Sequence, residues 1–256
     1  MEAIDTHCHL SHTMKKGAKL NNIIHNAEKA NVIAFIDSPV YIDGYKQSIR
    51  LHERYPNKIF VTLGIPPANY HELDIPLYMD NIRKYAEKGL IVGVGEVGLD
   101  YYWVKNTALR NKQHETFYEL IALANELNLP IIIHSRDAED DAVKCLEKAE
   151  TPVIMHSYSG SVETAMECVN RGYYISVPTS VVNRKKQRKV ASSVPLENLV
   201  TETDSPYLSP LQDRRRNEPA NVIYAVKEIA ALQEQPEELV AQITTANAKK
   251  VFNLQC

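Results

Sequence analysis

Eight short β-branched runs, helical segments between successive runs, and a spacing of about 32 residues per unit predict a (β/α)8 TIM barrel of the α/β class. Strands that alternate with helices imply a parallel sheet with helices outside it, and eight units suggest closure. The chain of 256 residues fits one such domain, spanning 1–256, without a linker, low-complexity tract or internal repeat. An open doubly wound sheet is the alternative. Its first turn would normally carry a glycine-rich phosphate loop, whereas the first run here ends in His7-Cys8-His9.

Taken in order, the expected strands are residues 3–9, 32–37, 59–65, 90–96, 130–134, 153–156, 173–177 and 199–203. Each is a short apolar run bounded by Gly, Pro or polar residues, the pattern of a buried parallel strand. Amphipathic helices are expected over 18–30, 45–55, 76–88, 111–128, 140–149, 161–171 and 183–193, with two more over 220–233 and 236–250. Leu129-Pro130 closes the helix before it, because the residue preceding proline avoids helical geometry. Glu218-Pro219 places proline at a helix start. Asp137 is expected to cap the helix beginning near Glu139.

The composition narrows the function classes. With 29 Lys+Arg against 32 Asp+Glu, the net charge is −3, which argues against a protein that coats nucleic acid electrostatically. It leaves room for an enzyme that grips a few phosphates locally, and two basic runs stand out, 184–189 and 214–216. The four cysteines form no Cys-x-x-Cys pair, so neither a zinc ribbon nor a disulfide framework is expected. Together with the absence of a signal-like start or a long apolar stretch, this favours a reducing compartment, the cytoplasm, with no membrane partner.

Chemistry concentrates at one end of the expected barrel. His7 and His9 end strand one, Glu96 strand four, His134 strand five and His156 strand six, and Asp204 follows strand eight. Barrel enzymes place their active sites at these carboxyl ends. The two-residue strand period points both imidazoles of His7-x-His9 the same way and Cys8 the other way, under the helices. A barrel core avoids such residues unless they are paired or metal-bound. Imidazoles and carboxylates together suit zinc, manganese or iron, and carboxylates also suit magnesium. Four histidines and two carboxylates exceed what one open catalytic ion needs and match two divalent ions sharing a bridging carboxylate. Each residue alone has a plainer reading: Glu96 as a buried ion-pair partner, Asp204 as a turn residue before Ser205-Pro206. The coincidence of six favours a metal site. His25, His52 and His114 fall within helices and are expected to be solvated. His12 and His71 fall in loops at the mouth, within reach of a substrate.

At these residues the chain resembles the TatD-type metal-dependent deoxyribonucleases. The resemblance is carried by Asp5-Thr6-His7-Cys8-His9-Leu10, by Gly95-Glu96-Val97-Gly98-Leu99-Asp100-Tyr101-Tyr102, by His134-Ser135-Arg136-Asp137-Ala138, by Glu202-Thr203-Asp204-Ser205-Pro206-Tyr207-Leu208 and by Arg216-Asn217-Glu218-Pro219-Ala220. His156-Ser157-Tyr158-Ser159-Gly160 is similar to the strand-six motif, with Ser157 and Tyr158 as variants. The resemblance implies an amidohydrolase-type barrel in which His7, His9, Glu96 and Asp204 hold one ion and Glu96, His134 and His156 the other. Glu96 then bridges two divalent ions (magnesium, manganese or zinc), and Asp204 orients and deprotonates the attacking water.

One departure stands out. The family pattern Gly-x-His-Pro after strand three reads Gly64-Ile65-Pro66-Pro67 here, and His71 is the nearest candidate to substitute. Arg136, Arg216 and His71 are the expected substrate contacts. Tyr101, Tyr102 and Trp103 are candidates to stack unpaired bases or, equally, to pack on the rim. The leading expectation is a deoxyribonuclease acting as an exonuclease on single-stranded or frayed DNA ends. The alternative is a hydrolase of a small-molecule ester, an amide or a D-aminoacyl-tRNA ester at the same site. A non-catalytic binding module would be expected to have lost a ligand, and none is lost.

Overall fold

The apolar runs and the segments between them fold into a ring of parallel strands with helices outside. The computed structural model describes residues 1–211 and 216–256. The strands are β1 (Ala3–Cys8), β2 (Val32–Asp37), β3 (Ile59–Leu63), β4 (Gly93–Asp100), β5 (Ile131–Arg136), β6 (Val153–Met155), β7 (Tyr174–Pro178) and β8 (Leu199–Glu202). Each pairs in parallel with the next, in the order β1 to β8. The helices are α1 (Leu10–Lys15), α2 (Leu20–Lys29), α3 (Ile42–Arg54), α4 (Ile75–Ala86), α5 (Thr107–Leu127), α6 (Glu139–Cys145), α7 (Val162–Asn170), α8 (Lys185–Ser193), α9 (Val222–Gln233) and α10 (Glu237–Val251).

The barrel is nearly closed by backbone bonds just past the end of β8. The Asp204 N–H donates to the His7 carbonyl at 2.9 Å and the His9 N–H to the Ser205 carbonyl at 2.7 Å. Asp5 reinforces this seam. Its carboxylate accepts the Thr203 N–H at 2.8 Å, the Thr203 hydroxyl at 2.6 Å and the His7 N–H at 3.3 Å. Burial still pushes the Asp5 carboxyl well above its ordinary range.

Two apolar layers follow from strand alternation. Outward residues such as Phe35, Val61, Val94, Ile133 and Ile175 pack under the helices. Inward, the second residues of β1, β5, β6 and β8 (Ile4, Ile132, Ile154 and Val200) cluster with Val251, Phe252 and Leu254 from the end of α10. The amino-terminal end of the barrel is therefore a plugged apolar floor, and the carboxyl end is left for polar side chains.

Two interruptions of the ladder matter most. Against β2, Asp5 pairs with Phe35 but Cys8 with Asp37, so β1 carries one extra residue. Against β5, Gly95 pairs with Ile132 but Val97 with Ile133, so Glu96 is the extra residue of β4. Such bulges re-aim side chains at barrel rims.

Several expectations need correction. Strand four was expected to stop at Glu96 because a charge ended the apolar run, but β4 continues in register with β5 as far as Asp100 opposite Arg136. The segment after strand one holds a separate helix, α1, so His12 is helical and not in a loop. Asp137 does not cap α6; it takes a positive φ of 55°, and Ala138 occupies the cap position without a side-chain bond. His52 and His114 are not free in solvent: His52 Nδ1 lies 2.7 Å from the Ile59 carbonyl, and His114 Nε2 lies 2.6 Å from the Tyr101 hydroxyl. The proline at Pro219 does open a short 3-10 turn leading into α9, as its position implies.

If the Asp5 carboxylate holds the seam, Asp5→Ala strands the buried Thr203 N–H, at a cost on the order of 2 kcal/mol. The melting temperature should fall by roughly 4–8 °C in thermal denaturation. An unchanged melting temperature would show that the seam does not depend on this carboxylate.

Candidate metal centre

The bulge in β1 determines where its histidines point. Thr6 faces across the barrel, its hydroxyl donating to the Thr201 carbonyl at 3.0 Å. Beyond it, the His7 and His9 rings stand edge to face with centroids 4.9 Å apart. Cys8 lies between them on the outer side, buried, its thiol on the Ile36 carbonyl at 3.3 Å. His9 is oriented at Nδ1 by the Ser38 carbonyl at 2.5 Å, which leaves Nε2 3.1 Å from the Asp204 carboxylate. Asp204 itself sits at a positive φ of 53°, a conformation that aspartate tolerates better than most residues.

The bulge in β4 places Glu96 between three imidazoles. Its carboxylate lies 2.5 Å from His134 Nδ1, 3.7 Å from His7 Nε2 and 3.7 Å from His156 Nε2. The end of β3 must pass directly beneath this bulge. A Cβ at Gly64 would stand 2.3 Å from the Glu96 carbonyl oxygen and 2.4 Å from its nitrogen, so only glycine fits. Gly98 is similarly constrained, since a Cβ there would meet the His134 carbonyl oxygen at 2.1 Å.

A second layer of carboxylates orients the imidazoles. Asp100 approaches His134 Nε2 at 3.0 Å, and Glu202 approaches His156 Nδ1 at 3.0 Å while accepting the Ser176 hydroxyl. Neither residue was assigned a role from sequence. The available signal was their place inside the strand-four and strand-eight motifs, Asp100 four residues after Glu96 and Glu202 two residues before Asp204. Carboxylates behind ligand histidines are the usual means of choosing the tautomer.

The electrostatics follow from this packing. Burial, then the nearby imidazoles of His156 and His9, hold His7 well below the ordinary histidine range. Burial works against a charge on His9, but the Asp204 hydrogen bond and charge outweigh it and raise the ring to about 9. His134 and His156 are raised against the same burial, the first by Glu96 and Asp100, the second by Glu202 and Glu96. Burial would push Glu96 up, yet His134, His156 and His7 bring it well below the usual carboxylate range.

The residues fit a divalent ion. Among the described residues, His7 Nε2 is buried with no hydrogen-bond partner, a lone pair aimed into the cluster. Among the described residues, ligand atoms converge within 4.8 Å in two groups, His7–His9–Asp204 and His7–Glu96–His156. Neutral imidazole with carboxylate is a donor set for zinc, manganese or iron, and carboxylates also admit magnesium. His134 belongs to neither group; its two nitrogens face Glu96 and Asp100. All six sequence-selected residues are nevertheless brought to one patch at the mouth.

The rim is less uniform. Arg136 ends β5 and is exposed, its guanidinium 3.8 Å from the centroid of the Tyr102 ring. Arg216 donates to the Lys16 carbonyl at 3.3 Å, and the Lys16 ammonium lies 4.6 Å above the Tyr207 ring. His71 is not drawn into the cluster; its ion-pair partner is Glu72 at 3.4 Å. His12 is closer, with its ring centroid 5.7 Å from that of His9 and Nδ1 3.1 Å from the Tyr207 hydroxyl. In the basic run 184–189, Arg188 is engaged by Glu228 on α9, and Arg184, Lys185, Lys186 and Lys189 are exposed. Arg214 and Arg215 lie outside the described residues.

Comparison with known proteins places the whole chain in one family. The profile of the family described as TatD related DNase matches residues 4–253. The chain is 36% identical to an uncharacterized metal-dependent hydrolase, YabD, of Bacillus subtilis, with 98% of each chain covered. It is 31% identical to human deoxyribonuclease TATDN3, covering 97% of this chain and 94% of that one. The crystal structure of the Escherichia coli TatD homolog YJJV superposes with a TM-score of 0.87 at 25% identity, over 99% of this chain and 98% of that one. A TatD family hydrolase of Entamoeba histolytica shares the fold, with a TM-score of 0.88 at 20% identity over 100% and 99% of the two chains.

Gly64→Ala should displace the Glu96 backbone and weaken metal retention by roughly 10–100-fold, the cost typical of misplaced ligand support. His71→Ala should leave it unchanged. Elemental analysis of both variants after zinc loading and desalting checks this. Equal zinc content in Gly64→Ala and the parent would mean that the close approach of β3 does not position Glu96.

Proposed function

The chain belongs to the TatD-related DNase family of metal-dependent hydrolases, and on that premise we propose that it hydrolyses phosphodiester bonds in DNA. The observation that carries this reading is the convergence of His7, His9, Glu96, His134, His156 and Asp204 at a mouth whose rim presents cationic and aromatic side chains. In this reading His7, His9, Glu96 and Asp204 hold one divalent ion and Glu96, His134 and His156 a second. Bound there, such ions supply Lewis acidity toward a phosphoryl oxygen and a water of lowered pKa.

The protein's own groups do the remaining work. Asp204, tied through His9 to the Ser38 carbonyl, accepts the proton of the attacking water. Asp100 and Glu202 keep His134 and His156 in orientation. Arg136 at the end of β5 and Arg216 beyond β8 supply guanidinium forks for non-bridging phosphate oxygens. The exposed aromatic and cationic side chains at the rim suit unpaired strands, which supports exonucleolytic action on single-stranded or frayed DNA ends.

A second reading rests on Pro66. It stands where the family pattern has histidine, and it removes a side-chain donor from the approach to the site. Loss of that donor favours a smaller or neutral substrate, a carboxylic ester, an amide or an aminoacyl ester.

The test is cleavage of single-stranded DNA labelled at either end. Metal-stripped protein should be inactive and should shorten the strand stepwise once magnesium, manganese or zinc is restored. Asp204→Asn should lower the rate by roughly 10²–10⁴-fold, the usual contribution of general base catalysis. No shortening by metal-loaded protein, with turnover of an ester or amide panel, would replace the DNA reading with the second one.

A further inference from the structure

The rim between β4 and β5 carries side chains that the metal centre does not use. Tyr102 and Trp103 follow β4 directly and are 44% and 66% exposed. Their rings meet edge to face with centroids 5.0 Å apart. The Arg136 guanidinium lies 3.8 Å from the Tyr102 ring centroid and 6.0 Å from that of Trp103, and the Lys105 ammonium lies 5.4 Å from Tyr102. Leaving an indole this exposed forgoes the burial that normally stabilises it.

The aromatic pair is held in place. The backbone N–H of Trp103 donates to Asp100 Oδ1 at 2.8 Å, and Asp100 Oδ2 lies 3.0 Å from His134 Nε2. One carboxylate therefore holds both the aromatic turn and a histidine of the centre. Arg136 lies two residues beyond His134 on β5, so strand periodicity places both side chains on the same side.

We propose that Trp103, Tyr102 and Arg136 form a stacking platform for one unpaired nucleobase of the strand being cleaved. The inference rests on the DNA-cleaving reading and adds to it the source of strand selectivity. Every base offers a π-face, so an exposed indole beside a guanidinium binds bases with little regard to sequence. A base inside a duplex has both faces covered by its neighbours and cannot occupy the platform. The two cations, Arg136 and Lys105, favour a polyanionic strand over an apolar protein surface at the same place. Trp103 is a specificity-determining residue on this account, with no part in bond breaking.

Trp103 is the only tryptophan of the chain, so its fluorescence reports the platform directly. Magnesium-loaded protein is titrated with a dye-labelled, phosphorothioate-linked oligothymidylate of eight nucleotides, which resists cleavage. It is titrated in parallel with an abasic strand of equal length and with a blunt duplex. The base-bearing strand should quench the tryptophan saturably, and the abasic strand should bind by anisotropy without quenching. Trp103→Ala should raise KM for single-stranded DNA roughly ten-fold with kcat unchanged, and Trp103→Phe should restore most of the loss. Equal quenching by the abasic strand, or an unchanged KM in Trp103→Ala, would overturn the platform while leaving the nuclease reading intact. Failure of every strand to bind or be cleaved would remove the nuclease reading and the platform together.

Discussion

One carboxylate set among three imidazoles is the constraint on which the rest of the structure turns. Glu96 is only 20% exposed and lies within 3.7 Å of His7, His134 and His156. A carboxylate so placed needs charge or hydrogen-bond partners, because desolvation without them costs several kcal/mol. The histidines provide them, and they in turn need Asp100 and Glu202 behind them. The backbone serves the same requirement. β4 gains an extra residue to turn Glu96 inward, and a glycine follows β3 where the chain passes close to it. A change at any of these positions reaches the centre through the same carboxylate.

The barrel keeps this polar assembly apart from the groups that stabilise it. The floor is apolar, sealed by Phe252 and Leu254 against inward residues of six strands. The seam between β8 and β1 is held by Asp5 one turn of the ladder below the histidines. Stability therefore resides toward the amino-terminal ends of the strands, and chemistry toward the carboxyl ends. The rim loops above the centre are then free to specify what approaches it, as the Arg136–Tyr102 stack on one side and the Lys16–Tyr207 stack on the other illustrate.

Much of this was legible in the amino-acid sequence, for identifiable reasons. Buried parallel strands are continuous apolar runs, so all eight strands could be read, and the six ligand-type residues were visible as exceptions at their ends. Bulges leave no such mark. The spacing His7-x-His9 implies a shared face, but not the extra residue that turns this face toward the mouth after Thr6. Strand four was cut short because Glu96 looked like a terminus, and with it Asp100 lost its place beside His134. Glu202 was read as part of a strand because its partners, Ser176 and His156, come from β7 and from just beyond β6. At the rim, chain proximity and spatial proximity differ. His71 was favoured for its nearness to Pro66, whereas the neighbour of His9 is His12, carried on a helix too short to show periodicity.

The central claim is that Glu96 and the histidines around it form a divalent metal centre. Anomalous diffraction from crystals of manganese-loaded protein tests it most directly. The account predicts one anomalous peak among His7, His9 and Asp204 and a second against Glu96 and His156. Manganese bound only elsewhere, with both groups of ligand atoms unengaged in fully loaded crystals, would contradict it.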